Sequence, residues 1–106
     1  MIIIQELSEM IEEEIEDASK YAKCAITNKD SNSALADVFY KLSNEELNHA
    51  SMLHSQVVAI IDAYRKTNGE PPEPMLTLYE VFHKKHIANT AMVKGILSLY
   101  KELGAK

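Results

Sequence analysis

The sequence predicts an all-α fold, an antiparallel helical bundle, and three observations carry the prediction. Its 106 residues include only three Gly and three Pro and no Trp, so there is little to interrupt helices. Apolar residues recur at spacings of three and four with no run of strict alternation, the signature of amphipathic helices. Turn formers gather in two short breaks, Thr27 to Ser33 and Thr67 to Pro74. Neither break is long enough to link domains, so residues 1–106 read as one domain.

The first helix is expected over about 3–26, with apolar positions at Ile4, Leu7, Met10, Ile11, Ile15, Ala18, Tyr21 and Ala22. The Asn, Asp and Ser residues that follow are candidate caps for a second helix over about 34–66. Its apolar positions are Leu35, Val38, Phe39, Leu42, Ala50, Leu53, Val57, Ile60, Ile61 and Tyr64. Gly69 just past its end and three nearby prolines stop it. A third helix is expected over about 75–103, through Leu78, Phe82, Val93, Ile96, Leu97 and Tyr100. The second helix is roughly 50 Å long at ~1.5 Å per residue. The linker after it reaches about 26 Å even when extended, so the chain runs up, down and up again.

Eleven Lys+Arg against sixteen Asp+Glu give a formal charge of -5, which disfavours nucleic acid and anionic membranes as partners. One cysteine, Cys24, builds neither a disulfide framework nor a four-cysteine metal site, and it reads as structural. The apolar run at Ile2 to Ile4 is too short for a signal peptide or a membrane span, so a cytoplasmic location is expected. The methionines sit at core or stripe-edge spacing and read as gap fillers. The acidic runs Glu12-Glu13 and Glu16-Asp17 read as solvated faces.

The informative residues are ionisable groups on apolar stripes. At ~100° per residue, Glu14 points into the first helix's stripe while Glu12, Glu13 and Glu16 do not. On the second helix Glu46 and His49 fall among the apolar residues, with Glu45 at the edge. Folding the two helices about their turn sets Glu14 level with Glu46 and His49, which share a face three residues apart. A buried unpaired carboxylate costs several kcal/mol, so this group needs a cation, mutual hydrogen bonds or a partner chain. Two carboxylates and an imidazole suit divalent iron, manganese or zinc.

These residues resemble the ferritin-like superfamily, which includes ferritins, rubrerythrins and encapsulated ferritins. The likeness rests on Glu14-x6-Tyr21 in the first helix and on Glu45-Glu46-Leu47-Asn48-His49-Ala50, similar to the Glu-Glu-x-x-His-Ala stretch of the family's second helix. It covers about residues 3–66 and implies a metal centre on Glu14, Glu46 and His49, with Tyr21 as a nearby hydrogen-bonding or redox group. Full members carry four long helices, and this chain has no fourth. Its Glu80-Val81-Phe82-His83 passes for a second Glu-x-x-His, but Glu80 points to the polar side and His83 lies off the stripe. His86, at the stripe's edge, comes near the height of His54, which leaves room for a secondary metal or polar contact.

A di-metal carboxylate centre of this family takes four carboxylates and two histidines, twice what one chain supplies. The resemblance therefore implies a homodimer whose central four helices come from two chains, with a di-iron or manganese site that oxidises Fe(II), handles iron or reduces peroxide. The alternative is a non-catalytic helical scaffold or interaction module with a structural or vestigial metal site.

Overall fold

A computed structural model describes residues 2–104, and within them it contains three helices and no strand. These are α1 (Ile2–Asn28), α2 (Ser33–Asn68) and α3 (Glu73–Gly104). Each runs one or two residues past its sequence-expected ends, because the ends are well satisfied. The Asn28 side-chain amide donates to the Cys24 carbonyl at 2.8 Å. Asn32 caps α2, its side-chain oxygen accepting from the Leu35 N–H at 3.1 Å. Gly69 terminates α2 at φ 77°, a left-handed conformation that costs glycine little, and its N–H donates to the Arg65 carbonyl. Pro74 sits in the first turn of α3, where a missing N–H removes no helical hydrogen bond.

Residue pairs set the directions. Ser43 Oγ donates to the Ala18 carbonyl at 2.7 Å, and His49 lies against Glu14, so α1 and α2 are antiparallel. Tyr79 lies against His54 and Tyr100 against Tyr40, so α3 is antiparallel to α2. Lys85 pairs with Glu12, which leaves α3 parallel to α1. The result is a rod of 55 × 19 × 17 Å.

α1 is the middle of this rod. It packs along both other helices, while α2 and α3 hardly meet. Its buried residues are Ile4, Ser8, Ile11, Ile15, Ala18, Ala22 and Ala25. Against them α2 buries Ala36, Ser43, Ala50, Val57 and Ile61, and α3 buries Met75, His86, Val93 and Leu97. Small residues meet across the α1–α2 seam, Ala18, Ala22 and Ala25 on one side and Ala36, Ser43 and Ala50 on the other. They let the two backbones come close, and the buried Ser43 hydroxyl is satisfied there by a backbone carbonyl.

This corrects the expected core of α2. Of the apolar positions expected on α2, Ala50, Val57 and Ile61 are buried, but Leu35 and Val38 are exposed, and Phe39, Leu42, Leu53 and Ile60 are half-buried. Ala36 and Ser43 were overlooked because their burial contributes little apolar area, yet close helix approach depends on them. Leu35, Val38, Phe39, Leu42, Leu53 and Ile60 therefore flank the seam on the side away from α3. Val38 is 49% exposed there, and Met10 of α1, equally exposed, lies on the same flank.

The seam gives a direct test. Enlarging Ala22 to Leu should destabilise the chain by about 1–3 kcal/mol through overpacking, read as a lower midpoint in urea or heat. Val81→Ala, on the exposed face of α3, should stay within about 0.5 kcal/mol of wild type.

Candidate metal centre

The seam between α1 and α2 continues past Ala18 and Ser43 to the level where Glu14, Glu46 and His49 project from the flank that α3 leaves uncovered. Helical spacing brings Glu46 and His49 onto one turn of α2, and the antiparallel register sets Glu14 opposite them. His49 Nδ1 lies 3.5 Å from Glu14 Oε2 and 3.7 Å from Glu46 Oε1. One ligand atom from each of the three lies within 4.8 Å of the other two; among the described residues no other group of three or more His, Cys, Asp or Glu side chains meets this condition. The convergence expected from the sequence is therefore present in the fold.

The electrostatics are those of two acids sharing one site. The Glu46 carboxyl is pushed up to about 7, first because it hydrogen-bonds to Glu14, then by burial and by the negative charge of Glu14; His49 opposes the shift. Its side chain is 19% exposed, that of Glu14 28% and that of His49 51%, so the group opens outward at His49. Glu14 Oε2 is itself buried and has no hydrogen-bond partner of ordinary geometry. A proton partly relieves the crowding of the two carboxylates, and a divalent cation would relieve it more fully. The donor set of hard oxygens with one imidazole matches iron or manganese, and tolerates zinc.

Tyr21 shares the flank, but its ring stacks on Phe39 at a centroid distance of 6.1 Å, an aromatic packing role. Glu80 is exposed, as expected from its polar-side position. His83 is placed differently from the expectation. It is half-buried between α2 and α3, with its ring 4.7 Å from that of His54 and 5.5 Å from that of Tyr79. His54 Nε2 and the Tyr79 hydroxyl are 3.2 Å apart. His86, expected near His54 in height, is buried and lines the same cleft as His54 and His83. Reading only apolar stripes missed Tyr79 and His83 because their partners are polar aromatic rings on the opposing helix. The signal available was Tyr79, His83 and His86 recurring at spacings of four and three.

No protein-family model, curated protein or solved structure matches this chain. No helix among the described residues is long and apolar enough to cross a membrane.

The shared proton has a consequence for stability. Glu46 has an ordinary value of 4.5 and is raised to about 7, so between these values the folded chain holds a proton that the unfolded chain releases. Metal-free stability should therefore fall as pH rises through this window. Burial pushes His54 and His86 down from 6.5, so stability should also fall as pH drops below that value. The melting temperature of metal-free protein should be higher at pH 6.5 than at pH 8. Glu46→Gln, which mimics the protonated acid, should stabilise at pH 8 by on the order of 1 kcal/mol and flatten the difference. A slope unchanged in this variant would assign the proton elsewhere.

Proposed function

We propose that Glu14, Glu46 and His49 bind a divalent transition metal, iron or manganese with zinc as a redox-silent substitute. We further propose that two copies of the chain join on this flank to form a di-metal carboxylate centre. The supporting observation is the approach of two carboxylates and an imidazole to within 4.8 Å, with a buried Glu14 oxygen that lacks a hydrogen-bond partner. The resemblance of Glu14-x6-Tyr21 and Glu45-Glu46-x-x-His49-Ala50 to ferritin-like proteins points the same way.

The dimer is argued from what surrounds the three ligands. Ile3 and Met10 on α1 and Leu35 and Val38 on α2 are exposed large apolar residues on the flank that carries the group. Their helical directions match those of Glu14 and His49, and α3 covers the opposite flank. A second copy laid on this face by two-fold symmetry buries that apolar surface and doubles the ligands to four carboxylates and two histidines. The central four helices are then two copies of α1 and α2, with α3 outside.

Glu14 and Glu46 would hold the metal through carboxylate oxygens and His49 through a ring nitrogen. Glu46 holds a proton up to about 7 and would have to release it to bind, so affinity should rise with pH through that region. A pair of iron ions in such a site supplies oxidation of Fe(II) by dioxygen or peroxide, an iron-handling or peroxide-reducing activity. The bare protein's contribution is a surface-opening set of oxygens beside an apolar partner face. Tyr21, packed on Phe39 along the same flank, is a candidate redox neighbour of that set.

The purified chain should bind about one Fe(II) or Mn(II) per protomer and migrate in solution as a dimer of about 24 kDa, twice the 11.9 kDa chain. Glu46→Ala with His49→Ala should abolish metal binding and weaken the dimer, read by metal analysis and native mass. Aerobic Fe(II) should turn ferric faster with protein than with buffer. Unchanged metal content in the double variant would overturn the site assignment. Equal oxidation rates with stoichiometric metal bound would favour a structural metal in a helical scaffold.

A further inference from the structure

The rod has two flanks, and the second carries chemistry that the reading above does not use. α2 and α3 touch through rings at two levels, where Tyr40 meets Tyr100 at 5.1 Å and where His54 meets Tyr79 and His83. Between them the helices part and leave a cleft of about 450 Å³, floored by Ile11 and Ile15 of α1. His54 enters its lining from α2, and His83 and His86 from one turn of α3.

We propose that this cleft is a second cation site, in which His54, His83 and His86 bind a borderline divalent transition metal such as zinc through imidazole nitrogens. It is independent of the Glu14–Glu46–His49 centre, which lies on the other flank of the α1–α2 pair. The wall between the two is made of Ile11, Ile15, Leu47 and Ala50.

Three observations converge on an ion. His86 is only 6% exposed, it lines the cleft, and its Nε2 is buried with no hydrogen-bond partner. A buried polar atom left unsatisfied costs about 1–3 kcal/mol, so a folded protein that retains one has a use or a ligand for it. Second, three imidazoles from two helices face one space, with the His54 and His83 rings 4.7 Å apart and nearly parallel. Burial holds His54 and His86 toward the neutral form, the form in which a ring nitrogen offers its lone pair. Third, no carboxylate lines the cleft, and its one charged lining residue, Lys94, enters from α3 two turns beyond His86. An all-imidazole set selects zinc, nickel, cobalt or copper over the oxygen-preferring ions suited to the other flank. Glu12, whose negative charge is felt at His86 from α1, lies beside the set and is paired with Lys85.

Closing three nitrogens on one ion requires the rings to turn. The His54–His83 stack must rotate, and the contact of 3.2 Å between His54 Nε2 and the Tyr79 hydroxyl is the one the ion displaces. Because α2 and α3 otherwise meet so little, an ion here ties α3 to the hairpin and stabilises the whole rod.

The chain has four histidines, His49, His54, His83 and His86, so their ring-nitrogen NMR signals are assignable by single substitution. Zinc added to full-length Glu14→Gln/Glu46→Gln protein should shift the signals of His54, His83 and His86 and bind at one equivalent per chain. It should also raise the melting temperature of that variant. His54→Gln/His86→Gln should lose this equivalent and this thermal shift while keeping Fe(II) or Mn(II) binding at the other flank; circular dichroism reports whether it folds. Signals of His54, His83 and His86 that stay put under excess zinc would overturn the proposal, whatever happens at His49. Shifts that survive in His54→Gln/His86→Gln would overturn it equally. Loss of Fe(II) binding in Glu14→Gln/Glu46→Gln bears only on the first centre, so the two readings fail separately.

Discussion

Two carboxylates meeting across one helix seam are the constraint around which this molecule is arranged. Glu14 and Glu46 come from different helices and share a partly buried position with one imidazole between them. Like charges this close favour a proton or a cation at the site, and Glu46 responds by holding its proton up to about 7. Beneath them the two helices meet through small buried residues. Ala18, Ala22 and Ala25 against Ala36, Ser43 and Ala50 form a seam with few bulky groups, and the Ser43–Ala18 hydrogen bond pins the register. A slip of one residue along that seam would rotate Glu46 and His49 away from Glu14. The register that buries the small residues is thus the register that brings Glu14, Glu46 and His49 together.

The same geometry explains why the helix pair has two unlike flanks. Small residues at the seam leave the large apolar groups of α2 to either side of it. On one side Tyr40, Leu47 and His54 face α3, which covers them in part. On the other side Leu35 and Val38 of α2 and Met10 of α1 remain exposed around the acid group. A monomer seldom keeps such a surface without a use for it. α3 cannot serve both flanks, since it is a single helix set against α1 by Met75, His86, Val93 and Leu97. A third helix that packs on the central one and scarcely on its neighbour leaves one flank exposed and the other partly cleft.

Helix number, order, direction and ends were legible from sequence because they rest on punctuation, with Asn32, Gly69 and the prolines each acting through local backbone chemistry. The ligand group was legible for a different reason. Glu14, Glu46 and His49 contradict the apolar pattern around them, and contradictions of pattern are what functional residues produce. The core of α2 was legible only in part, at Ala50, Val57 and Ile61. Hydrophobic patterning ranks Val38 and Leu35 above Ala36 and Ser43, yet which residues are buried depends on how closely two helices approach. Tyr79 and His83 escaped because half-polar rings weaken an apolar stripe without interrupting it, and their meaning appears only when His54 arrives from the facing helix.

The buried polar atoms show how differently the flanks are built. On the first, the unsatisfied atom is an oxygen of Glu14 beside a second carboxylate, and the crowding there holds a proton on Glu46. On the second, it is the Nε2 of His86 in a cleft shared with two other imidazoles, where burial disfavours the protonated form of His86 and leaves the nitrogen available. Here α3 partly covers one flank and brings imidazoles to it, while Glu14 and Glu46 meet on the other. That difference between the flanks follows from one asymmetry, the placement of a single helix.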